Sequence, residues 1–246
     1  MNENKEYFLN DGGSCNIISV VGNGKVEIEF TGYEGQSIYV YKDNLIKGKV
    51  KNPFKPSLCG IGVIGKGKYD SKTTINGVNI YRIWVGMIKR CYCTITLKNN
   101  PSYLGCSVDK SFLYFQVFAE WCLSQNFLRK GFQLDKDLLV RGNRVYSAET
   151  CCFLPKDLND VLSYRKNSKS KYLIGVSCNS EGRFISKIGL PNNQKYLGTY
   201  DTAELAFNAY KEAKENHIKE LANQYKDQID PRAYNALMSW EVNIDD

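Results

Sequence analysis

The chain has 246 residues, with 33 Lys and Arg against 26 Asp and Glu, a formal charge of +7 and 43% hydrophobic residues. That length suits two or three domains with real cores, and the positive balance favours an anionic partner. No apolar run reaches membrane-spanning length and the polar Met1–Phe8 start is unlike a signal peptide, so the expected setting is the cytoplasm, without membrane contact. Nine irregularly spaced cysteines fit reduced thiols in a cytosol rather than a disulfide framework.

Residues 14–50 read as short strands: Cys15–Val21, the turn Gly22-Asn23-Gly24, Lys25–Phe30, Ser37–Tyr41 and Leu45–Val50. An Asn-Gly pair between alternating segments is a hairpin signal. Strands without helices predict a small β-barrel of the SH3 or KOW sort over residues 1–56, a module for docking or packing more often than for nucleic acid. Prolines 53 and 56 and the glycines up to Gly67 end it, and residues 57–78 are expected to be a linker. Gly62, Gly65 and Gly67 lack the spacing of a phosphate-binding loop.

Residues 79–168 form the next expected domain. Tyr81, Trp84, Val85, Met87 and Ile88 recur at helical spacing, and a second helix beginning near Asp109 carries Phe112, Phe115, Phe118, Ala119, Trp121 and Cys122 as an aromatic core face. Then come a strand (Phe132–Leu139), a turn at Gly142-Asn143, a strand (Arg144–Phe153) and a helix from Pro155 or Lys156, a ββα unit. Cys91-x-Cys93 and Cys151-Cys152 lack the C-x-x-C spacing that lets two sulfurs reach one tetrahedral ion, so zinc is not expected.

From Lys171 the pattern sharpens. Val176, Cys178, Phe184, Ser186 and Ile188 fall on one parity and Ser177, Asn179, Arg183, Ile185 and Lys187 on the other, with Asn179–Gly182 as the turn; Lys195–Tyr200 is a third strand. Asp201 or Thr202 caps a helix with the apolar stripe Leu205, Ala206, Ala209, Tyr210 and Ala213, running to about Tyr225. His217, further along it, reads as a surface residue beside Lys214 and Glu220. The free face of the sheet is expected to show Asn179, Arg183, Lys187 and Lys195. Seven basic residues (Arg165, Lys166, Lys169, Lys171, Arg183, Lys187, Lys195) stand against Glu181 between Ser163 and Gly198, the charge pattern of a phosphate-binding surface. Residues 226–246 add a helix opened by Pro231 and a frayed acidic tail.

Gly175-Val176, Gly182-x-Phe184-x-x-x-Ile188 and Leu197-Gly198-x-Tyr200-x-Thr202-x-x-x-Ala206-x-x-Ala209-Tyr210 together resemble the AP2/ERF DNA-binding domain, here at residues 169–225. The resemblance implies a three-stranded sheet lying in the major groove, with Ser177, Asn179, Arg183, Lys187, Lys195 and Tyr196 as contacts and Lys169 and Lys171 beside them. Ser177, Asn179 and Tyr196 replace the usual arginines and tryptophan, so base preference does not transfer. Arg183 and Lys187 suit guanine or phosphate and Asn179 suits adenine. The ββα unit resembles the HNH, or His-Me-finger, nuclease motif, and the combined layout is similar to phage-borne homing endonucleases.

That second resemblance implies a catalytic set of Asp135, Lys136, Asp137 and Asn159, with Asp135, Asp137 and Asn159 holding Mg²⁺ or Mn²⁺. Lys136 stands where the motif has its histidine and Thr150 where it has its middle asparagine, so the motif is degenerate. A protonated lysine has no lone pair to act as base, and the flanking carboxylates favour that form. The expected protein is therefore an α+β, multidomain binder of double-stranded DNA, with metal-dependent endonuclease activity left open. The alternative is a non-enzymatic phage regulator or an inhibitor of a host defence protein on the same scaffold.

Overall fold

The computed structural model of the chain describes residues 5–162, 171–190 and 193–244. It is a mixed α+β structure with several small sheets. In chain order the elements are β1 (Glu6–Phe8), β2 (Ser14–Gly22), β3 (Lys25–Phe30), β4 (Ser37–Tyr41), α1 (Lys42–Ile46), β5 (Thr74–Ile75), β6 (Val78–Asn79), α2 (Ile80–Tyr92), α3 (Thr94–Asn99), β7 (Ser107–Val108) and α4 (Phe115–Ser124). They continue with β8 (Phe132–Asp135), β9 (Val145–Tyr146), β10 (Cys152–Pro155), α5 (Lys156–Leu162), β11 (Val176–Cys178), β12 (Phe184–Leu190), β13 (Asn193–Tyr200), α6 (Ala203–Gln224) and α7 (Pro231–Met238). Two compact units divide the chain. The first comprises Met1–Thr73, Ile80–Leu104 and Val108–Trp121; the second comprises Thr74–Asn79, Gly105–Ser107 and Cys122–Asp246.

In the first unit β1 to β4 form an antiparallel sheet in sequence order. Asn23 and Gly24 both take positive φ, 52° and 74°, in the turn between β2 and β3, as the tight hairpin requires. Alternation in β3 buries Val26, Ile28 and Phe30 over Cys15, Ile17, Leu45 and Val50. The expected closed barrel is absent among the described residues: the sheet is an open meander. Its expected last strand, Leu45–Val50, instead begins inside α1. Lys42, Asp43 and Asn44 are weak strand formers, and an acid in the first turn favours a helix.

Also in this unit, α2 buries Ile80, Trp84, Met87, Ile88 and Cys91 along one side. The Trp84 indole N–H donates to the carbonyl of Phe112 at 2.8 Å, and its ring lies 5.5 Å from that of Phe115. α4 starts at Phe115 rather than near Asp109, because Ser111–Leu113 form a separate short turn, in which the Ser111 amide and hydroxyl donate to the Asp109 carboxylate. The Gly- and Pro-rich stretch is packed rather than a bare spacer. Val63 bonds Leu113 and Phe115 through its backbone, and Gln116 holds the carbonyls of Ile64 and Tyr69 and the amide of Tyr69.

The second unit is built around α6. Thr202 caps it, its hydroxyl accepting from the Leu205 amide at 3.2 Å. Ala206, Phe207 and Tyr210 pack with Val176 and Ile188 under the sheet β11-β12-β13. Further along, Ile218 and Ala222 pack with Cys152, Leu154, Leu158 and Leu237 under the antiparallel pair β8 and β10. The tail is not frayed at Val242: that residue is 1% exposed, its amide donates to Glu215 and its carbonyl accepts from Lys211.

Candidate nucleic-acid interface

Strand register decides which side chains share a face. Ser177 pairs with Ile185 and Ile185 with Thr199, while Lys187 pairs with Tyr196. Paired residues project to the same side of a sheet. These side chains lie opposite Val176, Ser186 and Ile188, which are buried against α6, so they form the outer face together with Arg183. Ser177, Arg183, Lys187 and Tyr196 are exposed, as is Lys171 just before the sheet. Lys169 lies outside the described residues.

Two members of the expected set are placed otherwise. A bulge lies between Ser186 and Lys187, after which Ile188 pairs with Lys195. Because Ile188 points toward α6, Lys195 does too; it is exposed at that rim, in a hollow with Leu197, Tyr200 and His217. A one-residue slip carries a side chain to the opposite face, and simple alternation along β13 does not reveal it. Asn179 is occupied by its own turn, its carboxamide oxygen accepting from the amides of Glu181 (3.0 Å) and Arg183 (2.9 Å). Reading adenine bidentately needs that oxygen, so Asn179 here shapes the hairpin and aims Arg183. Arg183 itself pairs with Asp201 at 3.1 Å, both side chains largely exposed. Such a surface pair contributes about 0–1 kcal/mol, so a phosphate competes readily for the guanidinium.

The ββα unit is real but smaller than its sequence pattern. Asp135 pairs with Cys152 and Phe132 with Pro155, giving four-residue strands in place of the expected Phe132–Leu139 and Arg144–Phe153. Between them, Asn143 ties the excursion together by donating to the carbonyls of Lys136 (2.6 Å) and Val145 (2.7 Å). The helix begins at Lys156, as the sequence pattern predicts.

Each residue of the expected catalytic set has a partner in the fold. One oxygen of Asp135 accepts from the amides of Asp137 (3.0 Å) and Leu138 (2.7 Å). Burial, then the charge of Asp137, pushes its pKa up to about 6. Lys136 is buried, with its ammonium 3.1 Å from Asp137 and 5.8 Å from the centre of the Tyr146 ring. Asn159 donates to Gln133 at 2.7 Å. Thr150, at the middle position of the motif, donates to the Val145 carbonyl at 2.8 Å and contacts the Ser147 hydroxyl, a turn-holding role. Among the described residues no group of three or more His, Cys, Asp or Glu is arranged to hold a metal ion. Cys151 and Cys152 are buried, and that burial raises both thiol pKa values, to about 12 for Cys151.

Two α6 residues read from the sequence as lying at the surface differ from that expectation. His217 does not face solvent: its side chain is 21% exposed and Nε2 is buried without a hydrogen bond. Lys214, three residues earlier, is 8% exposed. No helix is long and apolar enough to cross a membrane among the described residues. Comparison with family models, with curated proteins and with solved structures found no match.

Proposed function

We propose that the second unit binds double-stranded DNA through the outer face of β11-β12-β13, in the AP2/ERF-like manner, and that its HNH-like ββα unit serves as framework more than as a nuclease. The observation that carries this reading is the outward, exposed placement of Arg183, Lys187 and Tyr196 on one face. Cations on one face of a sheet neutralise phosphates, and an exposed aromatic beside them supplies apolar contact in a groove. Framework is favoured over cleavage because Lys136, Asp137, Asp135 and Asn159 are engaged with one another, with backbone amides or with Gln133. A cytosolic setting and phage-type biology belong to the same proposal.

The test is fluorescence anisotropy of a random duplex against the full chain over a salt series. Wild-type binding should weaken steeply with salt, and Lys187→Glu should reduce affinity at every sequence and flatten the salt slope by about 1. Absence of binding at low salt, or an unaltered Lys187→Glu variant, refutes the reading and favours a protein target. Supercoiled plasmid with Mg²⁺ or Mn²⁺ tests the second half. Nicking that Asp135→Ala abolishes would restore the nuclease.

A further inference from the structure

Every fourth residue along one side of α6 is buried: Ala206, Tyr210, Lys214, Ile218 and Ala222. Four suit an apolar stripe; the third does not. Ala206 and Tyr210 belong to the core beneath the three-stranded sheet, and Ile218 and Ala222 to the core beneath β8 and β10. Lys214 therefore sits at the seam between two cores, 8% exposed. Among the described residues it has no hydrogen-bond or ion-pair partner, and burial alone lowers its pKa below the ordinary lysine value. The lysine stem is therefore largely buried while its ammonium reaches an opening in the fold with no counter-charge beside it, a position that Met or Leu would fill without having to place a charge. A local rule broken without compensation inside the fold points to compensation from outside it.

The same seam holds an open cavity of about 1010 Å³. Lys214 lines it, with Lys187, Lys130, Arg129, Gln194 and Tyr210 among its neighbours. Two carboxylates also border it, but Asp157 accepts from the Tyr225 hydroxyl at 2.8 Å and Asp160 pairs with Lys156. The cavity thus combines a largely buried lysine with exposed cations on its rim, and of its two acids Asp160 is ion-paired while Asp157 is held by a neutral hydroxyl.

We propose that this cavity is a phosphate-binding site in which Lys214 is the buried counter-charge and Lys187 and Lys130 close over the anion from the rim. A phosphate matches the site because it accepts from several ammonium groups at once and supplies the negative charge that Lys214 lacks within the fold. The phosphate has two possible sources, a phosphodiester of DNA or a free phosphorylated small molecule.

The experiment is isothermal titration of the full chain with inorganic phosphate and with adenosine monophosphate at low salt, alongside duplex anisotropy, for wild type and Lys214→Met. Saturable binding of phosphate or the mononucleotide, at least tenfold weaker in Lys214→Met, identifies a free-ligand site. Absence of small-anion binding with at least tenfold loss of duplex affinity in Lys214→Met identifies a phosphodiester contact. In either case Lys214→Met should keep or raise the melting temperature in phosphate-free buffer, since an apolar side chain of similar length replaces a largely buried lysine that nothing in the fold pairs; a structural lysine would lower it. The site is overturned if wild type binds no anion and Lys214→Met leaves duplex affinity unchanged, if the variant binds like wild type, or if it melts lower. Failure of the DNA reading is distinct: no duplex binding, with small-anion binding intact.

Discussion

A methyl group added at Gly175 probes the joint between β11 and α6. Gly175 has φ of 75°, and a Cβ there would lie 2.6 Å from Cε2 of Tyr210, with Cγ and Cδ2 closer still. Normal contact begins near 3.4 Å, so the strand or the helix must move by more than a flexible side-chain tip can absorb. Two costs combine. Left-handed backbone costs a non-glycine residue about 1–2 kcal/mol, and overpacking a core position costs about 1–3 kcal/mol, so Gly175→Ala should destabilise the second unit by about 2–5 kcal/mol. Gly182→Ala is the control: its φ is 80°, yet nothing lies within 4 Å of the added carbon, so only the backbone cost of about 1–2 kcal/mol remains. The assay is hydrogen exchange read by mass spectrometry over peptides from 172–190 and 203–215, with urea unfolding for magnitude. Exchange should accelerate in both segments for Gly175→Ala, and Tyr210→Ala in the same chain should remove most of the excess, a coupling expected of residues in contact. Equal effects at Gly175 and Gly182, or additive effects of Gly175→Ala and Tyr210→Ala, would refute the steric account.

Asp135 has its pKa raised to about 6 in the folded chain, so the stability it contributes is complete below its unfolded value near 4 and is lost as pH rises through about 6. Asp135→Asn keeps an oxygen for the amides of Asp137 and Leu138; it should stabilise the chain at pH 7.5 by about 1–3 kcal/mol and flatten the profile between pH 4 and 7, measured by urea unfolding. Gln116→Leu removes three hydrogen bonds to the 64–69 stretch; a cost of about 1–3 kcal/mol per buried group left unmet predicts faster limited proteolysis there. Thr202→Ala deletes the α6 cap and should cost about 1 kcal/mol, with Thr202→Ser close to wild type, by thermal melting.

Features set by near neighbours were legible before any coordinates. The Asn23-Gly24 hairpin, the start of α5 at Lys156 and α6 from its Thr202 cap follow from turn chemistry, capping and periodicity, which act within a few residues. The inward set Val176, Ser186 and Ile188 and the outward Arg183 and Lys187 follow from period two alone. Tertiary structure decided the rest. Pairing to a partner strand is non-local, so only the bulge beside Ser186 shows that Lys195 leaves the outer face. Hydrogen bonds across turns assign the oxygens of Asn179 and Asp135, which composition leaves free. Lys214 had a trace in the i+4 stripe, but a lysine there reads as solvated until two cores are seen to close around it. Burial depends on what the whole chain brings alongside, and no single helix carries that information.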